Sequence, residues 1–398
     1  MKRTSLIIFF FLLSAYISAG TAPIKYHQQI LALPTGEVSV RLPVGLQLEL
    51  LNDEMSQPRL LTFAENGDLF SGSRSGNVYR IAPPYDRAKV LIRTGGYPHN
   101  IALREDEILI AKTEGLYRSP YRLGQNEIKK NNVSLVARLP AGGGHSSRTV
   151  AVGPDNRVYV SLGITGNCSD EYVGDSYPFW QRRGGVMLLD EDGAQPQWKA
   201  FATGLRNPVG FDWHPDTGVM YASNNGPDHL GFDLPPEYFS RLTQGTFMGM
   251  PWYQYDGKAL RRDNCIQRAS PRLSTDVSLP VATFPARNAP MGVHFVPSHG
   301  LDARFTGDAI VALKGSWGTR PTGNASGDPA SRREPKLVVV RFQDGKAQRV
   351  DDLVTGFQFK DGSRWARPVG VAIGADGALY FTSDSGVNGL FRLKKITK

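Results

Sequence analysis

The stretch AGGGHSSRTVAV, residues 141–152, places a histidine directly after three glycines. The imidazole of His145 titrates near neutrality without special help, which is what a general base needs. Glycines ahead of it let the backbone pack close to a bound molecule. The same spacing also occurs in flexible turns, so this histidine alone leaves both readings open. Other polar residues stand just ahead of apolar runs: Arg59, His99 with Asn100, Arg148, Arg206 with Asn207, Asn288 and Arg367. The runs lead out toward Lys112, Asn224 with Asn225, Lys314 and Asp384. Gathered at one place, these cations, amides and histidines would bind a small anionic ligand. Taken singly, each could merely satisfy exposed carbonyls in a turn.

The elements that would gather them form a repeat. QPRLLTFAENGDLFSGS (57–73), YPHNIALREDEILIAKT (97–113) and HSSRTVAVGPDNRVYVSLG (145–163) share one pattern. So do RNPVGFDWHPDTGVMYASN (206–224), APMGVHFVPSHGLDARFTGDAIVALKG (289–315) and RPVGVAIGADGALYFTSD (367–384). Each has a polar lead-in, an alternating apolar strand, an acidic or glycine turn and a second strand. Turns such as NGD, PDN and ADG suit hairpins because Gly, Asn and Asp tolerate the required φ. Six such units predict an all-β, six-bladed β-propeller with long inserted loops on the site face, residues 21–398 forming one catalytic domain. A pair of β-sandwiches would not account for six like units. Equivalent positions then ring the central tunnel at one end, which brings the polar residues together. PPEYFSRLTQG (235–245) is the main helix candidate, and residues 319–335 read as an exposed loop.

Composition sets the setting. Hydrophobic residues make up 40% and charged residues 21%, a balance that supports a folded chain. Residues 1–20 run from a basic MKR through an apolar core to small residues, the pattern of a secretory signal peptide, which predicts a periplasmic or secreted protein. Cys168 and Cys265 are the two cysteines; in an oxidising compartment they can form one disulfide, the alternative being two unpaired thiols. The net charge of +9 is scattered, with no basic helix or patch, which argues against nucleic acid and for an anionic small molecule, an acidic partner or a membrane surface. No later segment reads as a membrane span. There is no CxxCH, so any haem sits on another protein.

AGGGHSSRTVAVGPDNRVYVSLG, FATGLRNPVGFDWHPDTGVMYASNN, GDAIVALKGSW and WARPVGVAIGADG together resemble the soluble pyrroloquinoline quinone-dependent sugar dehydrogenases, most of all the sorbosone dehydrogenase-like branch. The resemblance spans roughly residues 40 to 395. It implies a six-bladed propeller that oxidises the anomeric carbon of an aldose, or an aldehyde hydrate, to a lactone or acid. Electrons would pass to an external acceptor, a cytochrome or a quinone. The resemblance makes His145 the base and Arg206 the charge at the quinone oxygen. Asn207, Lys314 and Arg367 become cofactor contacts, with Asn100 and Arg148 of the ring beside them. It implies calcium at Gly226 and Pro227, with Asp228 as a further participant and Glu237 nearby. The chemistry is consistent, because three carboxylates and an ortho-quinone need cations.

The chain also departs from that branch. NNGPD stands where an Asn-Glu-Arg-Asp loop is often found, Arg287-Asn288-Ala289-Pro290 where His-Ser-Ala-Pro is, and Lys314-Gly315-Ser316-Trp317 where His-Gly-Ser-Trp is. Ile164 falls where the glucose enzymes carry an acid that assists the base. These changes bear on the substrate and on the metal geometry. The loops after Cys168 and around Trp252-Tyr253 are expected to shape the sugar pocket. Two other functions fit a propeller: a calcium-dependent, lactonase-like hydrolase and a non-catalytic binding domain. The cation set favours the dehydrogenase, since a lactonase is expected to use a carboxylate-rich metal cage.

Overall fold

Each repeated unit folds as an antiparallel hairpin whose first strand lines a central tunnel. The structure, a computed structural model, describes residues 23–396; the signal-peptide reading lies outside them. The six inner strands are Pro58–Phe63, Pro98–Arg104, Arg148–Val152, Phe211–Trp213, Pro290–Phe295 and Ala366–Ile373. The first five head four strands of a blade each, with one short parallel strand added to the third. In the sixth, the run Leu379–Lys395 pairs first with Ala366–Ile373 and then with Leu46–Asn52 from the other end of the chain. That pairing closes the ring. The expected propeller is thus borne out.

Turn chemistry explains the hairpins. Between Arg148–Val152 and Val158–Leu162, Asn156 takes φ 61° and the Asp155 carboxylate accepts the Arg157 amide and the Tyr159 hydroxyl. The sixth blade repeats the device, with Asp376 accepting the Ala378 amide and the Tyr380 hydroxyl. Residues on alternate sides of each strand then meet those of the next blade. The result is an apolar cluster at each of the six blade junctions, such as Ile101, Ile108 and Ile110 against Phe70 and Val78.

Three features were not read from the sequence. A hairpin of Tyr26–Leu33 and Gly36–Pro43 packs outside the repeat, tied on by Arg41 and Thr355 backbone bonds. The helix expected over 235–245 is instead a strand, Glu237–Leu242, third in its blade between Met220–Asn224 and Ala282–Phe284. Its Tyr238 and Phe239 fill the junctions on either side, so burial on both faces overrides a weak helical pattern. Trp252 is fully buried against Tyr172, Tyr177 and Phe247, with its indole N–H on the Arg268 carbonyl. It therefore braces the inserted loops rather than facing a sugar. Among the described residues there is no α-helix, and no helix is long and apolar enough to cross a membrane.

Candidate active site

At the mouth of the tunnel the glycine loop delivers His145. Gly144 has φ +70°, and a Cβ there would lie 1.5 Å from the Thr165 carbonyl oxygen, so only glycine fits. The His145 Nδ1–H donates to the Ile164 carbonyl at 2.6 Å. That bond leaves Nε2 with its lone pair, the tautomer a base requires. Burial pushes the His145 pKa down to about 4, and the Arg206 charge acts in the same direction. The imidazole is therefore neutral at ordinary pH. At Ile164, where no side-chain carboxylate is present, the backbone carbonyl takes up the orienting bond.

Two buried arginines hold this loop from behind. Arg148 donates to the carbonyls of Pro140, His145 and Ser147. Arg183, which sequence reasoning missed, donates to the carbonyls of Gly143, His145 and Gly163 and to the Thr165 hydroxyl. Arg148 thus spends its guanidinium ends on its own loop, with only Nε unpartnered. Nothing in the string QRRGGV marks Arg183 as special. Its partners are carbonyls, which have no signature in side-chain pattern.

Arg206 enters from the fourth blade. Its Nε and a terminal nitrogen reach the Asn167 carbonyl and Oδ1, both at 2.9 Å, and it lies 3.5 Å from the Asp228 carboxylate. Asn167 also accepts the Asp228 amide at 2.7 Å. It is therefore the hub that fixes Arg206, and it precedes Cys168. Cys168 and Cys265 form a disulfide, which ties this loop to the long insertion. Next to Arg206, the amides of residues 206 and 207 both bond Asn224 Oδ1. Asn207 Oδ1 is buried without a partner, as is Asn100 Oδ1. Asn100 lies lower, in the wall of a tunnel cavity of 330 Å³, with its Nδ2 on the Val150 carbonyl.

A second cluster stands at the sixth blade. Asp384 pairs with both Arg59 and Lys314, the latter at 2.6 Å. Burial, reinforced by Arg59, brings the Lys314 pKa down to about 7. Arg367 donates to the Lys314 and Gly315 carbonyls and feels Asp384 and Arg59 electrostatically. His99 is fully buried, facing Arg59, the Arg148 carbonyl and Thr149, a satisfied interior histidine. Cations outnumber carboxylates here, and Arg59 Nε and Asp384 Oδ1 are left unpartnered. A polyanionic cofactor fits such a cluster.

The loop expected to hold calcium fits less well. Gly226 and Pro227 are buried, and their carbonyls accept no hydrogen bond among the described residues. They could serve a hard cation. Asp228 could not, because its carboxylate is held by Arg287 and faces Arg206, and its carbonyl also bonds Arg287. Arg287 was another residue the sequence did not single out as functional. Glu237 lies beneath, accepting the Gly226 and Ala289 amides, and burial raises its pKa to about 7. Elsewhere, His229, Asp263 and Cys265 lie close together, but the disulfide leaves Cys265 no thiolate to give a metal.

The sequence model of a family described as TrAA12-like matches residues 40–234. A solved structure of a Trichoderma reesei Carbohydrate-Active Enzymes Family AA12 protein, described as an iodide structure, is 18% identical, covering 89% of this chain and 97% of that one, with a TM-score of 0.73. The holo form of the Pyranose Dehydrogenase PQQ domain from Coprinopsis cinerea is 19% identical over 90% of this chain and 97% of its own, with a TM-score of 0.71. The soluble aldose sugar dehydrogenase of Escherichia coli is 14% identical over 88% of this chain and all of its own, at a TM-score of 0.62. A curated Borreliella burgdorferi protein, described as uncharacterized, is 26% identical, covering 89% of this chain and 90% of that protein. The resemblance read from the sequence is borne out: the chain is a β-propeller of the type seen in the pyrroloquinoline quinone-dependent sugar dehydrogenases.

Proposed function

We propose that this chain is a secreted or periplasmic quinoprotein that oxidises the C1 hydroxyl of an aldose, or an aldehyde hydrate, to a lactone or acid. One observation carries the proposal. A neutral His145, with Nδ1 committed to the Ile164 carbonyl and Nε2 free, sits beside Arg206 at the edge of a surplus of buried cations. When bound, pyrroloquinoline quinone would accept the hydride and later release electrons to a cytochrome or quinone. Arg59, Lys314 and Arg367 would hold its carboxylates. Arg206 and Asn207 would face its quinone end, Arg206 stabilising the charge that develops there. His145 Nε2 would take the substrate hydroxyl proton. Burial first and the Arg206 charge second hold the His145 pKa down, so negative charge arriving beside Arg206 would ease proton transfer to the imidazole. Arg148 and Arg183 position the histidine without touching the substrate. The Gly226 and Pro227 carbonyls would supply hard oxygen donors to a calcium ion, and Asp228 would not, because Arg287 and Arg206 hold its carboxylate.

The hydrolase reading is disfavoured because Asp228, the carboxylate in the candidate metal loop, is already paired with arginines. The test is reconstitution of the purified protein with pyrroloquinoline quinone and Ca²⁺, followed by dye reduction with a panel of aldoses and aldehydes. Binding and turnover are expected, and His145→Ala should bind cofactor but not turn over. Absence of cofactor binding would overturn the proposal, and full activity of the variant would overturn the base assignment.

A further inference from the structure

Beside the cation cluster is a pocket that the reading above touches only through Arg367. It measures 430 Å³, within the range of about 300–1,000 Å³ typical of small-molecule sites. Trp317, Arg332, Ser363, Arg364, Arg367 and Ser385 line it. Arg367, which donates to the Lys314 and Gly315 carbonyls, connects it to the cation cluster.

Its electrostatics are unbalanced. Arg364 is pushed down to about 9, first by burial and then by the charges of Arg367 and Arg332. Arg332 is held only through its backbone, by the Pro329 carbonyl and the Gln358 side chain. Its guanidinium makes no hydrogen bond or ion pair among the described residues, and its Nε is buried without a partner. Arg364 reaches Gln358 and the Ser316 and Arg333 carbonyls, but no carboxylate. The nearby acids are committed elsewhere. Glu334 takes the Gly356 amide, Asp361 takes Ser363, and Asp384 takes Arg59 and Lys314. Arg332 and Arg364 meet no carboxylate, and Arg367 shares the Asp384 charge with Arg59 and Lys314, so the three guanidinium groups repel one another and an anion relieves that repulsion. Trp317 is 53% exposed at the same pocket, an apolar face left open to solvent. A sugar ring can stack on such a face.

We propose that this pocket binds an anionic sugar, its carboxylate or phosphate held by Arg332 and Arg364 and its ring laid on Trp317. The sugar half rests on the dehydrogenase reading; the anion half stands without it. Calorimetric titration of the full-length, cofactor-free protein with glucuronate, glucose 6-phosphate and glucose tests both. The two anions should bind and neutral glucose should not, the stronger anion telling carboxylate from phosphate. Arg332→Gln, whose side chain supports nothing in the fold, should weaken binding about tenfold or more at an unchanged melting temperature. Trp317→Ala should weaken it too, and added salt should lower the affinity. Anions binding no better than glucose, or a variant Arg332→Gln binding like the wild type, would overturn the site. So would complete displacement of glucuronate by pyrroloquinoline quinone, which would make the pocket part of the cofactor seat. Glucuronate binding in a protein that cannot take up the quinone would leave this site standing while the dehydrogenase reading fell.

Discussion

Gly163 offers a test of the candidate site that leaves its functional side chains unaltered. It lies between His145 and Asn207, and its φ is not in the left-handed region, so alanine adds no backbone strain. A Cβ there would lie 2.5 Å from Asn207 Oδ1 and 2.6 Å from His145 Cβ. Ordinary contact needs about 3.5 Å, so one or both neighbours must move by about 1 Å. The histidine cannot retreat easily from residue 163. His145 is pinned by the Ile164 carbonyl, and the Gly163 carbonyl is held by Arg183. Overpacking of this kind costs about 1–3 kcal/mol of stability. A base displaced by about 1 Å loses on the order of 100-fold in turnover. Gly163→Ala should therefore melt slightly early, bind cofactor and turn over far more slowly. By NMR, its His145 pKa should rise from about 4 back toward the ordinary histidine value of about 6.5 as the ring leaves its desolvated seat. Gly143→Ala is the matched control, because a Cβ there meets nothing within 4 Å. Wild-type turnover and melting in Gly163→Ala would refute the packing argument. Equal losses in both variants would refute it as well.

The same histidine sets a pH dependence of stability. Its folded pKa is depressed, so its contribution is complete above about 6.5 and is lost as pH falls toward about 4. At about 1.36 kcal/mol per unit this is worth up to roughly 3 kcal/mol. In urea melts of cofactor-free protein between pH 4 and 7, His145→Gln should flatten that slope, and an unchanged slope would contradict the buried neutral imidazole. The disulfide closes a loop between residues 97 apart. On the loop-entropy estimate, the Cys168→Ser, Cys265→Ser protein should lose about 4–5 kcal/mol in urea melts. It should also bind cofactor more weakly, because Asn167 then holds Arg206 less firmly; a stable double variant with wild-type cofactor affinity would contradict this role for the loop.

Local rules made the blades legible. Alternating strands and Asp-Asn-Gly turns act within a dozen residues, so the six hairpins could be read in order and the inner strands assigned. The third and fourth strands of each blade were harder, because they carry weaker alternation and are selected by junction packing. Glu237–Leu242 shows this best: its aromatics face two neighbouring blades at once, which no helical or strand period in the segment announces. Legibility within the site divides the same way. His145 and Arg206 lie at the leading edge of inner strands, where the repeat itself points to them. Asn167, Arg183 and Arg287 sit on inserted loops and act largely through carbonyls. Their roles exist only once residues far apart in sequence have met.

The buried charges follow one logic that single residues do not reveal. Asp384 holds Arg59 and Lys314, and Asp228 holds Arg287 beside Arg206. Each carboxylate lets two cations remain buried without a ligand, yet neither cancels both. Replacing either acid by its amide would leave like charges confined together, at a cost of about 3–5 kcal/mol for a broken buried pair. Beside Arg206 the further acid is Glu237, whose own carboxyl burial pushes up to about 7, so positive charge still dominates. Lys314, its pKa brought down to about 7 by burial and by Arg59, is the group of this cluster most ready to give up its charge. An arriving polyanion would return that charge, so its affinity should draw on Lys314 and the arginines together. The arginines stay charged with or without a ligand, while the lysine makes anion capture sensitive to pH near neutrality.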